Sequence, residues 1–575
     1  MPHIHGASRD EVLLFPPTLD EYITDDNPVR FIDAFVDQLD LEQLGFVRAL
    51  PSPLGRPSYH PGDLLKLYIY GYLNRLRSSR LLEREAHRNV ELMWLLKKLT
   101  PDFKTIADFR KDNLESLQHV CRTFTLLCKE LDLFGGELVA VDGSKFKAVN
   151  NRTRNFTHAK LKQALEHSDE KITEYLHALD TADSQTPSRP DLTADQLQQR
   201  IAHLRERNQH EQELQQRLLA SGESQISLTD PDSRSMPLTQ GVDVCYNVEM
   251  VVDAKHKLIV THEVTSAVTD REQLAPMAKA AKQLLSVEHL DAVADKGFYS
   301  GEQVKACGEA AIQVYVPQPH TSRNQNKGLF TKDDFRYDKE RDSYWCPQGE
   351  ELTFRFESEE NGRATRYYAT AGCASCPIRA QCTENKGGRR ITRWAEEQLL
   401  EEMAERVRAH PEIMKVRKEL IEHVFGTMKR SMDQGYFLLR TRKKVAAEMS
   451  LTVLAYNLKR VIEIIGVSGL IAGLKASVVC VWATIWQSTD VPGWCKKITR
   501  ALCWPIRTAL QPTFHTVWRR VGRQRARALF GASYSCKLLA RSLYDTAVKP
   551  DDDRSGLSVS VKRNSTPTLV RRRSV

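Results

Sequence analysis

The sequence predicts a multidomain α/β protein: a mixed β-sheet with helices on its faces, a helical domain ahead of it and a small Cys-rich insertion within it. Three observations carry that expectation. The chain has 575 residues, room for three or four domains. Between residues 136 and 317 short apolar runs rich in Val and Ile alternate with amphipathic helical patterns. Two polar stretches, 151–225 and 318–410, interrupt that alternation, which resumes at 411–465.

The elements follow in order. Residues 1–130 read as mostly helical. Tyr59-His60-Pro61-Gly62-Asp63 makes a turn and a helix start, after which Leu64, Leu67, Tyr68 and Gly71 recur at helical spacing. Ser78 and Ser79 restart the pattern, and Thr105 caps IADFRKDNL after the break at Pro101. Arg75, Arg77, Arg80, Arg84 and Arg88 make this domain locally basic. They suit either a helix-turn-helix on DNA phosphates or a solvated Arg face. ELVAVDGSKF is a compact strand signal. The stretch 151–225 turns to Glu, Gln, Lys, Leu and His around TADSQTPSRPDLTAD, which predicts an insertion of two polar helices joined by a loop. VDVCYNVEMVVD and LIVTHEV, joined by AKHK, form a hairpin. Helix REQLAPMAKAAKQLL, strand LDAVAD, helix GEQVKACGEA and strand IQVYVP come next. After the Cys-bearing stretch, a helix carrying Glu422 precedes the apolar-striped LTVLAYNLKRVIEII.

Charge is mild overall, +9 with a pI near 8.8, but uneven. The tail, 476–575, holds 18 Lys and Arg against 5 Asp and Glu, more than the whole positive excess. That suits either a polyanion partner or an inert tail, and its end, KPDDDRSGLSVSVKRNSTPTLVRRRSV, has the composition of a partly disordered segment. MPHIHGASRDEVLLF lacks the pattern of a secretory signal, which points to the cytoplasm. IIGVSGLIAGLKASVVCVWATIW is long enough to span a bilayer. Lys475 at its middle opposes insertion by roughly 3 kcal/mol. A buried helix followed by a second apolar helix is expected instead, with no stable membrane association.

Three acids carry the chemistry. Asp142 in LVAVDGSKF and Asp295 in AVADKGFYS each stand where an apolar run ends, beside a glycine. A carboxylate at the carboxyl end of a buried strand can face an open cleft. Glu422, in LIEHVFGTMKR, shares a helix face with Lys415, Lys418, Gly426 and Lys429, while Ile421, Val424 and Met428 can pack on the sheet. Hard carboxylate oxygens gathered this way can hold two Mg²⁺ (or Mn²⁺) ions, the arrangement used to cleave phosphodiesters. Asp230 and Asp232 compete for such a role but lie in the loop TDPDSR, and Asp253 opens the tight turn DAKHK.

Taken together, these motifs resemble the DDE transposases of bacterial insertion sequences. The closest likeness is to the branch whose third acid sits in Tyr, two residues, Arg, three residues, Glu, six residues, Lys. Glu422 and Lys429 match that signature. Lys418 stands at its Arg position, with Arg417 one place early, and Lys415 at its Tyr position. VDGSK and ADKGFYS resemble the first and second acidic motifs. LDEYITDDNPVRFID through GRPSYHPGDLLKLYIYGYLNRLRSSRLLER resembles the N-terminal domain, and DPDSR followed by GVDVCYNVEMVVD is similar too. The likeness spans roughly residues 15 to 475 and leaves out the tail. It implies an RNase H-like core (136–317 and 411–465), with Asp142, Asp295 and Glu422 as catalytic metal ligands. It implies DNA contacts by Lys145, Tyr299, Lys415, Arg417, Lys418, Lys429 and Arg430. It further implies binding to terminal inverted repeats and target DNA, a homodimer on the DNA ends, and a nucleoid location.

Cys346, Cys373, Cys376 and Cys382 form a set with one CxxC pair, within 318–410. Without a secretory signal they favour a metal over disulfides, a structural Zn²⁺ first, with an iron–sulfur centre or reduced cysteines remaining open. Two other functions share these features: a non-catalytic DNA-binding regulator, and a metal-dependent nuclease without strand transfer.

Overall fold

The strand Leu138–Lys147 organises the molecule. In this computed structural model, which describes residue 14 and residues 17–51, 57–184, 194–319, 323–360 and 362–487, it is the centre of a six-stranded sheet. On one side it pairs antiparallel with Gly241–Asp253, from Val139 opposite Asp253 to Lys147 opposite Cys245. That strand turns back into Ile259–Thr265, and its first residues also pair with Arg234–Leu238. On the other side Leu138–Lys147 runs parallel to Leu290–Val293, which runs parallel to Ile312–Tyr315. Parallel neighbours need crossovers, supplied by the helices Leu274–Leu285 and Gly301–Glu309. Three antiparallel strands beside two parallel ones give the RNase H-like mixed sheet that the sequence led us to expect.

One expectation needs correction. The central strand does not end at Asp142 but continues through Lys147, because residues 143–147 keep pairing with 245–249. Asp142 therefore sits in mid-strand. Asp295 does follow its strand, and its carboxylate caps the turn Lys296–Phe298 by accepting from the Gly297 N–H at 2.7 Å.

The helix Pro411–Gly426 starts on a proline at its first position and lays Leu420, Ile421 and Val424 on the sheet. A short π-turn, Thr427–Ser431, buries Met428 beyond it. Phe425 and Phe437 both pack on Phe146, with ring centroids 6.2 and 5.8 Å away. The last helix spans Arg442–Gln487, and its backbone leaves helical geometry at Gly466, where φ is 72°. No helix among the described residues is long and apolar enough to cross a membrane. Residues 488–575, most of the basic tail, lie outside the described residues.

The N-terminal helices, among them Pro28–Asp37, Pro61–Leu73, Phe103–Asp112 and Leu114–Glu130, are not packed apart from the sheet. One cluster of buried apolar side chains runs from Ile23 through the sheet to Leu474. Arg77 is buried in that junction, where it donates to the Tyr436 carbonyl at 2.8 Å and lies 3.7 Å from Glu448. Neither a solvated Arg face nor a phosphate contact describes it. The described residues of both interruptions form regular elements. The first is the helix pair His158–Ser184 and Ala194–Ser221 over a two-stranded ribbon. The second contains a five-stranded antiparallel sheet, Arg336–Asp338 to Arg390–Trp394, with Tyr344, Leu352, Tyr368 and Ile391 in a small core of its own.

Candidate active site

Strand alternation sends Asp142, Ser144 and Phe146 toward the helix that carries Glu422, and Gly143 and Lys145 to the opposite face. Asp142 is 16% exposed, and Arg417 meets it at 2.8 Å. Burial pushes the Asp142 carboxyl up to about 6. Arg417 opposes that rise, while the nearby charges of Asp295 and Asp270 add to it. Carboxylates so placed, with burial working against ionisation, suit a hard divalent cation.

Lys429 reaches the same strand two positions further on. Its ammonium donates to Ser144 Oγ at 2.6 Å and to the Lys145 carbonyl at 2.8 Å, over the Phe146 ring. Desolvation brings its pKa down to about 8. Lys145 pairs with Asp270 at 2.9 Å. Glu422 points elsewhere: it is 68% exposed, and its partner is Lys418, one turn back, at 3.8 Å. Lys415 and Arg430 are exposed. Tyr299 is half-buried beside the Asp295 turn, its phenol pushed up to about 12 by burial. The structure thus brings Arg417 to Asp142 and Lys429 to Ser144 on one face of the strand, with Asp295 near, sets Lys145 on the other face, and leaves Glu422, Lys415, Lys418 and Arg430 exposed. Among the described residues, no three His, Cys, Asp or Glu side chains stand at metal-holding geometry.

The competing acids have structural partners. Asp230 is fully buried, accepting from Tyr246 Oη at 2.8 Å and the Thr441 N–H at 3.0 Å. Asp232 accepts from the Arg442 N–H, and Asp253 holds the Gly135, Gly136 and Lys255 N–H groups. Asn247, Glu249 and Asp270 form a polar cluster with Lys145 beside the central strand that sequence reasoning missed. Their one signal was an Asn and a Glu two apart in a strand otherwise buried and largely apolar, VDVCYNVEMVVD.

Cys346, Cys373, Cys376 and Cys382 line a single cavity of about 20 Å³, with Phe335, Leu352 and Ile378. That is space for one water-sized body. All four thiols are free.

Fold and site define an α/β core of the RNase H-like class with two acids at its centre. Residues 17–112 match the family model described as a transposase domain (DUF772), and residues 345–462 match that of a transposase DDE domain. The second match contains Glu422 and the four cysteines, while Asp142 and Asp295 lie between the two. No curated protein matches the chain. A cryo-EM structure of the piggyBac transposase synaptic complex with hairpin DNA aligns at a TM-score of 0.28 and 8% identity, over 82% of this chain and 84% of that one. A likeness that weak carries no argument.

Proposed function

We propose that this transposase binds the terminal inverted repeats of its insertion sequence, cuts the DNA there and joins the freed ends to target DNA. The observation that supports this most is Asp142, half-buried on the central strand, with Asp295 near enough to help raise its pKa. Asp142 and Asp295 would hold Mg²⁺ or Mn²⁺, two ions to a site, and Glu422, 68% exposed on the outer side of its helix, would have to swing inward to join them. When bound, such ions supply an activated water or 3′-hydroxyl and steady the leaving oxygen. The chain's own groups do the remaining work. Arg417, which neutralises Asp142 in the free protein, is placed to turn to a nonbridging phosphate oxygen. Lys429 and Lys145 add positive charge along the same strand, and Lys415, Lys418 and Arg430 offer phosphate contacts on the outer helix face. Tyr299 follows the turn that the second acid caps. Two copies acting together on two DNA ends require at least a dimer on DNA.

The reading is tested with DNA bearing the gene's own flanking ends, in Mg²⁺ or Mn²⁺. Native protein is expected to cut at the ends and Asp295→Ala to lose cutting while binding the same DNA within a few-fold, since cations and not acids hold the phosphates. Tight, salt-sensitive binding without any cutting would favour a regulator instead. Cutting without joining would favour a nuclease.

The four cysteines are assigned to a structural Zn²⁺ that closes the small five-stranded sheet. Metal analysis of purified protein is expected to find about one zinc per chain, lost in Cys376→Ser. Folded wild-type protein free of metal would remove the assignment.

A further inference from the structure

The helix that carries Glu422 ends in a turn that holds one residue more than an α-helix would. Thr427–Ser431 is π-helical, and the Met432 N–H donates to the Thr427 carbonyl, five residues back, at 2.9 Å. An α-helix closes the same bond over four residues, so the turn stores an extra one. Its far side is tied down. Lys429 donates to Ser144 Oγ and to the Lys145 carbonyl, and the Gln434 N–H to the Met428 carbonyl at 3.0 Å.

Ahead of that turn, the register of the helix keeps the third acid away from the first. Arg417 covers Asp142 at 2.8 Å. Ile421, one turn further along the same face, is 5% exposed against the sheet, while Glu422 stands outward beside Lys418. The Arg417 contact is incomplete, because its Nε is buried with no acceptor among the described residues. Suppose the extra residue moves from Thr427–Ser431 to a point ahead of Arg417. The residues between then advance by one place, about 1.5 Å along the axis and about 100° around it, and both ends of the helix stay put. Glu422 arrives where Ile421 stood, and Lys418 where Arg417 stood. Two buried places remain apolar, since Ile421 takes that of Leu420 and Phe425 that of Val424. Three costs favour the described register in the free protein. Buried Leu420 would move to the exposed place of Glu419, and Gly426 would replace Phe425 against Phe146. Glu422 would also become a buried acid without a cation.

We propose that this one-place register shift is a switch built into the helix: Arg417 on Asp142 is the inhibited state, and a hard divalent cation selects the shifted state, in which Glu422 faces the sheet beside Asp142. The proposal rests on the function proposed above and deepens it. It also accounts for the lack of three acids at metal-holding geometry among the described residues, because the third acid is one helical place away. Carboxylate oxygens suit Mg²⁺ or Mn²⁺, and an ion that binds only the shifted register draws the population toward it.

The test follows Leu420 in the full chain. Leu420→Cys is treated with a maleimide, in chelator and in Mn²⁺, and the modification at position 420 is read by mass spectrometry after digestion. The thiol is expected to be protected in chelator, and Mn²⁺ to speed its labelling at least about tenfold. Two further changes, each added to Leu420→Cys, are expected to abolish that acceleration while circular dichroism stays native. Deletion of the exposed Ser431 takes the extra residue out of the turn and locks the described register. Glu422→Gln removes the charge that the cation would hold. Mn²⁺ binding is read separately by electron paramagnetic resonance, the share lost in Asp142→Asn marking the site. Should Leu420→Cys fail to fold, the Ser431 deletion decides in the otherwise native chain, where that share of binding is expected to weaken at least about tenfold. Native Mn²⁺ affinity in the deletion, or labelling that Mn²⁺ does not change although the ion binds, would overturn the register shift and leave the proposed reaction standing. A chain that binds no Mn²⁺ through Asp142 would remove both.

Discussion

Asp142→Asn is expected to lower DNA cleavage by about 10³-fold or more, on the order of 4 kcal/mol of transition-state stabilisation, and to cost the fold nothing at neutral pH. The two effects have one cause. Asp142 lies in mid-strand, largely buried, with Asp295 and Asp270 near it, and these hold its carboxyl up to about 6. An acid whose folded pKa exceeds its unfolded value binds more protons folded than unfolded between the two. Its contribution to stability therefore falls as pH rises through that window, roughly pH 4 to 6, and above it the penalty is complete. Asparagine carries no charge to desolvate and still offers an oxygen to Arg417. In chelator at pH 7, the variant is expected to melt at or above the native temperature, with the difference closing below about pH 4. Cleavage of the end-bearing DNA by the same preparation checks the other half. A variant that cuts normally would sink the assignment. One that melts well below the native protein would show that the carboxylate is needed for packing and not for chemistry.

The second large effect lies away from the acids, where the N-terminal helices meet the last helix. Glu448 is fully buried and accepts from the Leu438 and Leu439 N–H groups at 3.0–3.1 Å. Arg77 stands 3.7 Å from it and also lies over the Tyr436 ring, 4.5 Å from the centroid. Burial pushes the Glu448 carboxyl up, while Arg110 and Arg77 and the two backbone donors pull the other way. Removing one member leaves the other charge buried and unpaired. Arg77→Met is therefore expected to cost roughly 3–5 kcal/mol in chemical denaturation, far more than the loss of an exposed ion pair. Adding Glu448→Leu to Arg77→Met is expected to restore part of that loss, less whatever the two orphaned N–H groups cost. Full additivity of the two losses would mean that the charges do not depend on each other. The pair also steadies the loop whose Gly435 carbonyl and Phe437 N–H bond Lys147 at the end of the central strand, so its loss is expected to reach the site.

Much of this architecture is legible in the sequence because local patterns carry it. LVAV, VDVCYNVEMVVD, LIVTHEV, LDAV and IQVY are dense in β-branched and apolar residues, and each is a strand. Pro61 and Pro411 sit at the first positions of the helices they start. The limit of local reading shows at Asp142, where the apolar run stops but the strand does not. Its continuation through GSKFK depends on a partner strand about a hundred residues further on. Arg77 shows the same limit from the other side. An Arg among other Arg residues reads as surface, and only Glu448, 371 positions away, turns it into a buried partner.

What the sequence by itself determined is the main strands and helices of the core, the place of the acids near them, and the clustering of four cysteines, since propensity, periodicity and spacing are properties of neighbours in the chain; the five-stranded sheet within 318–410 was not legible there. What only the tertiary structure decided is which charges meet. Arg417, and not the signature position Lys418, faces Asp142, because Leu420, Ile421 and Val424 fix the rotation of their helix on the sheet and carry Glu422 outward. Asp270 reaches Lys145 and Asn247 beside the central strand, where Gly143 leaves room for it. Both outcomes depend on how packed surfaces turn side chains toward one another, and the order of residues along a chain does not contain that rotation.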